Sequence, residues 1–127
     1  MISNTLNFST MIKVRRIYDP EEPAEGYRVL VDRLWPRGIP KEKAGWHEWM
    51  RDVAPGNELR KWYGHDPSRW EAFKDIYKKE LSSRQDLLLK LLQLEKEHGT
   101  LTLLYSSKEV SLNNAVALRE FLMQQDG

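Results

Sequence analysis

The chain has 127 residues, the size of one compact domain, since a single core usually organises roughly 100–150 residues. Hydrophobic residues make up 40% and charged residues 31%, and 20 basic against 19 acidic side chains leave a formal net charge of +1. This balance excludes a collagen, a coiled-coil rod, a disordered chain and a membrane span, and gives no reason to expect strong non-specific attraction to nucleic acid or anionic lipid. Cysteine is absent, which excludes a disulfide framework, a thiolate metal site and a cysteine nucleophile.

Residues 1–10 (MISNTLNFST) carry no basic n-region, no apolar block and no periodicity. They read as a flexible N-terminal tail rather than a secretory signal, and a cytoplasmic protein is expected, with one α/β domain over residues 11–124. Ile12 to Tyr18 predicts a strand closed by Asp19-Pro20. Tyr27 to Asp32 predicts another, and the consecutive Val29, Leu30 and Val31 imply burial on both faces. Arg33 to Lys43 cannot be regular, because Pro36, Gly38 and Pro40 break any ladder or helix. Trp46 to Val53 is ambiguous: Trp46, Trp49 and Val53 fit one helix face, but Gly45 and Pro55 confine it.

The second half reads more clearly. A short helix spans Glu58 to Tyr63, after which Asp66 is an N-cap with Pro67 at the first helical position. Trp70, Phe73, Tyr77 and Leu81 recur at helical spacing, and a further helix runs from near Ser83 to His98 with Gly99 as its stop. Leu101 to Tyr105 predicts a buried strand, and Ser111 is the expected cap of a last helix through Leu122. The order strand, strand, helices, strand, helix predicts a small single-domain α/β fold with a short, mainly parallel sheet covered by helices. Ligands in such folds sit outside the carboxyl ends of the strands, here the loops after Asp32 and after Tyr105.

Asp32-Arg33-Leu34-Trp35-Pro36-Arg37-Gly38 places two arginines and a tryptophan on a stiffened loop at a strand end. Arg33 and Arg37 suit bidentate contact with phosphate or carboxylate, Trp35 suits stacking, and Asp32 suits a base or an orienting partner for an arginine. The structural alternative pairs Asp32 with an arginine to brace the loop, with Trp35 plugging the core. Tyr105, Ser106, Ser107 and Lys108 form the second candidate, ahead of a helix whose free N–H groups attract anions, with Asn113 and Asn114 in reach. Its alternative is ordinary capping. His65, in a dense polar and aromatic cluster, is a candidate acid or base, or merely a turn residue. No metal-ligand spacing, Walker loop or dinucleotide fingerprint occurs, so neither a metal nor a cofactor is expected.

The blocks RRIYDPEEPAEGYRVLVDRLWPRGI, APGNELRKWYGHDPSRWEAFKDIYKKEL and LTLLYSSKEVSLNNAVALREFL resemble the YeaO-like branch of the domain-of-unknown-function family 488, over roughly residues 11–122. DRLWPRG carries the resemblance most specifically. Other branches of the family have a cysteine near the loop after the last strand; Tyr105, Ser106 and Ser107 stand here, so no thiol mechanism is implied. Two functional classes remain. In one, the strand-end loops bind a small anionic ligand, phosphate- or nucleotide-bearing, with a hydrolase or transferase step through Asp32 or His65. In the other, the chain is a non-catalytic module for nucleic acid or a protein partner. Oligomeric state and substrate identity stay open.

Overall fold

The computed structural model describes residues 10–125. All but Thr10 of the expected tail lies outside the described residues. Among the described residues four strands, β1 (Met11–Arg16), β2 (Tyr27–Leu30), β3 (Glu48–Trp49) and β4 (Thr100–Tyr105), form one all-parallel sheet in the order β1-β4-β2-β3. The helices are α1 (Asn57–Tyr63), α2 (Trp70–Ser82), α3 (Gln85–His98) and α4 (Asn114–Gln125). The expected small α/β domain is what forms. Among the described residues no helix is long and apolar enough to cross a membrane.

Strand alternation sorts the core into two parts. Ile12, Val29, Val31, Leu101, Leu103 and Tyr105 meet apolar side chains from all four helices, including Phe73, Tyr77, Leu91 and Leu118. On the other face Ile17, Leu30 and Leu104 meet Ile39, Trp46 and Trp49, which arrive on loops rather than helices. Val29, Leu30 and Val31 are therefore all fully buried, as their apolar run implied. The loop-covered face also encloses ions. Glu25 and Arg28 are both buried, the Arg28 Nε donates to Glu25 Oε1 at 2.8 Å, and Arg15 Nε reaches Glu25 Oε2 at 3.1 Å.

Several boundaries differ from expectation. The first two strands end earlier, at Arg16 and Leu30, although Ile17 N–H still donates to Tyr105 O and Val31 N–H to Leu104 O. Trp46 to Val53 resolves into β3 followed by a single 3-10 turn, Arg51–Val53. The open edge of β2 decides this: His47 N–H donates to Arg28 O at 2.8 Å and Met50 N–H to Leu30 O at 2.9 Å. The His47 Nδ1 also accepts the Arg28 N–H at 3.0 Å, so a side chain completes the ladder. Asp66 caps as expected, accepting from Ser68 N–H, but over a 3-10 turn (Pro67–Arg69) that precedes α2. Ser111 does not cap the last helix. Asn113 does, its Oδ1 accepting the Val116 N–H at 3.0 Å, because Glu109 has already taken the Ser111 and Leu112 N–H groups into a tight turn.

A cationic cleft at the carboxyl edge of the sheet as candidate functional site

The parallel sheet directs every strand's carboxyl end to one edge, and a cleft of about 710 Å³ opens there. The loop after β1 supplies Tyr18, the loop after β2 supplies residues 32–35 and Arg37, and the loop after β4 supplies residues 106–108. Arg60, Lys61, Tyr63 and His65 close it from α1 and the turn that follows. The two loops singled out in the sequence thus share one cavity.

Asp32 is the strap between them. Its Oδ2 accepts both the Ser106 N–H at 2.8 Å and the Ser106 hydroxyl at 2.7 Å, while Oδ1 accepts Asn114 Nδ2 at 3.2 Å. The alternative that braced the loop by pairing Asp32 with an arginine does not occur: neither Arg33 nor Arg37 makes an ion pair with it. The reason is strand order. β4 lies beside β2, so the carboxylate leaving β2 meets the backbone N–H leaving β4 before it meets its own loop. The Arg33 Nε donates to Pro55 O at 3.3 Å, and Arg37 stays exposed with its carbonyl held by the Tyr18 hydroxyl at 2.7 Å.

Trp35 braces as well as lines. Its indole N–H donates to Ile39 O at 2.6 Å, and its ring meets Trp46 and Trp49 edge-on, with centroids 4.9 and 5.6 Å away. Ser107 Oγ accepts the Glu109 N–H, and Asn113, although at the cleft wall, spends both amide atoms on Glu109 O and Val116 N–H. Lys108 is exposed at the margin. Tyr105 is not in the lining; it is a core residue at 3% exposure, and burial pushes its hydroxyl pKa up. Burial likewise raises Tyr63, whose hydroxyl donates to Leu112 O at 2.7 Å and ties α1 to the turn before α4. His65 lies exposed at the wall with a left-handed backbone (φ 59°) and its ring edge-on to Tyr63.

The electrostatics are one-sided. Arg16, Arg33, Arg37, Arg60, Lys61 and Lys108 line the cleft, and Asp32 is the one carboxylate among the lining residues. None of the six cations makes an ion pair among the described residues. With a net charge of +1 for the whole chain and +5 for the lining, the remainder carries −4. Among the described residues no group of three or more His, Asp or Glu could hold a metal ion.

Arg16, Arg60 and Lys61 were not foreseen as cleft residues, whereas Asn113 and Asn114 both line the cleft as expected. Arg16 was hidden because the first strand was expected to run on to Tyr18, whereas it ends at Arg16 and turns that side chain to the cleft. Arg60 and Lys61 had no local signal, since a seven-residue amphipathic helix normally turns such side chains to solvent.

Comparison with known proteins places the chain. A family model described as the inactive DUF488-N3 subclade matches residues 11–126. The chain belongs to that subclade. It is 40% identical over 111 residues to "Uncharacterized protein YeaO" of Escherichia coli (strain K12), covering 87% of this chain and 96% of that protein. It is 37% identical over 115 residues to "Uncharacterized protein Rv3073c" of Mycobacterium tuberculosis (strain ATCC 25618 / H37Rv), covering 89% of this chain and 94% of that one. An equal likeness holds for "Uncharacterized protein Mb3100c" of Mycobacterium bovis. No solved structure matches the chain. The YeaO-like branch of the DUF488 family expected from the DRLWPRG block is the branch found.

Proposed function

We propose that this DUF488 protein binds a small phosphate-bearing anion in the cleft at the carboxyl edge of its sheet and carries out no chemistry on it. One observation carries the reading: six cationic side chains with no ion-pair partner among the described residues line the cleft, against a single carboxylate. Such a concentration of like charge opposes folding unless a counter-charge joins it, and its position matches where α/β sheets hold ligands. Guanidinium groups offer paired donors that suit phosphate oxygens. Against a hydrolase or transferase stand the three hydrogen bonds that already occupy Asp32, and the exposed place of His65 at the wall. The subclade's description as inactive agrees with this.

Calorimetric titration with phosphate and pyrophosphate tests the reading, on the wild-type chain and on Arg37→Ala. Arg37 is exposed and only its carbonyl is engaged, so its unfolding free energy should change by under about 0.5 kcal/mol. Anion binding should weaken by about 1.5–3 kcal/mol, the scale of a charge-assisted hydrogen bond. Absence of binding to either anion by the wild-type chain overturns the reading.

A further inference from the structure

Resting on that reading, we infer that the ligand is a nucleoside polyphosphate, with its phosphates among the arginines and its ring system over Tyr18 and Leu34. The charge count comes first. A lining of net +5 exceeds what one phosphate, at most a dianion near neutral pH, neutralises, whereas a triphosphate brings about four negative charges. The cations also enter from separate elements: Arg16 from β1, Arg37 from the β2 loop, Lys61 from α1 and Lys108 from the β4 loop. A chain of linked phosphates touches several such walls at once; a single phosphate touches few.

The second observation is apolar. Tyr18 and Leu34 are 41% and 57% exposed, yet both line this cationic cleft, and the Tyr18 hydroxyl fastens its ring to the β2 loop through Arg37 O. The Arg16 guanidinium lies 4.7 Å from the Tyr18 ring centroid, which backs the ring with positive charge. The part of the Tyr18 ring that Arg16 does not cover, and the Leu34 side chain, stay wet beside guanidinium groups and offer an apolar platform. An aromatic base laid on it would remove that surface from water, and base–aromatic stacking tolerates any base. The cleft volume falls inside the range usual for small-ligand sites, which favours a free nucleotide over a strand that must run past its ends.

The test uses the full chain and magnesium-free calorimetry with four probes: adenosine monophosphate, adenosine triphosphate, inorganic tripolyphosphate and a single-stranded oligothymidylate. The triphosphate nucleotide should bind at least tenfold more tightly than the monophosphate and at least threefold more tightly than tripolyphosphate. Tyr18→Ala should abolish the second difference while leaving tripolyphosphate affinity within twofold, and Tyr18→Phe, which keeps the ring but loses the bond to Arg37 O, should preserve it. Equal affinity for the mono- and triphosphate nucleotides, with binding intact, overturns the inference and leaves the anion site standing. So does an oligonucleotide that binds tenfold more tightly than the nucleotide. If no probe binds, the anion site itself fails.

Discussion

Replacing Asp32 by Asn should lower stability and raise anion affinity, two effects of opposite sign. The carboxylate accepts from the Ser106 N–H, the Ser106 hydroxyl and Asn114 Nδ2, and so joins the loop after β2 to the loop after β4. Hydrogen bonds to a charged acceptor contribute about 1.5–3 kcal/mol and neutral ones about 1, so an amide of the same shape loses part of each. It also turns its own NH₂ toward Asn114 Nδ2, which already donates to Val31 O and cannot easily invert. Asp32 is half-exposed, which discounts the sum to roughly 1–2 kcal/mol of lost stability, and Asp32→Ala should cost roughly 2–4. The same substitution takes one negative charge out of the cationic cleft. At roughly 7 Å in a water-like dielectric a unit charge is worth about 0.6 kcal/mol per ligand charge before screening, which about halves it, so a dianion should bind about two- to threefold more tightly. Urea unfolding and pyrophosphate calorimetry on the same samples read both effects. A folded Asp32→Asn protein with weakened binding would falsify the strap role and make Asp32 a ligand contact. Unchanged stability would refute the coupling of the two loops.

Three further outcomes follow from the scaffold. Glu25→Ala should destabilise by about 3–5 kcal/mol in urea, because it strands the buried Arg28 beside a vacated carboxylate site; a loss under about 1 kcal/mol would show that Glu21, 3.3 Å from Arg28, suffices. Gly26→Ala should cost at least about 2 kcal/mol by thermal or urea unfolding, since φ is +63° and a Cβ would strike Thr100 O; near-neutral behaviour would mean the β1–β2 connection shifts freely. The Ser111 and Leu112 N–H groups hold the Glu109 carboxyl below its ordinary value of 4.5. A lowered folded value contributes stability that is complete above 4.5 and disappears as the pH falls through the folded value, so Glu109→Gln should flatten the stability–pH curve below about pH 4.5; an unchanged acid limb would exclude that contribution.

What the sequence by itself determined was local. Three of the four described strands, the helices and the stop at Gly99 were legible, because apolar spacing and glycine chemistry act within one turn or one strand. The apolar run at Val29–Val31 announced a two-sided strand, and the DRLWPRG block announced the family. That the two loops meet at one cleft was also legible, since parallel strands send their carboxyl ends to one edge. Tertiary structure alone decided the partners. β3 exists because β2 leaves an open edge that captures Glu48 and Trp49 against their helical spacing. Asp32 went to Ser106 rather than to an arginine because β4 inserts between β1 and β2 and brings a free backbone N–H within 2.8 Å. Arg60 and Lys61 joined the cleft because α1 packs beside the sheet edge. Each of these depends on which chain segment lies next to which, and no local pattern encodes that neighbour.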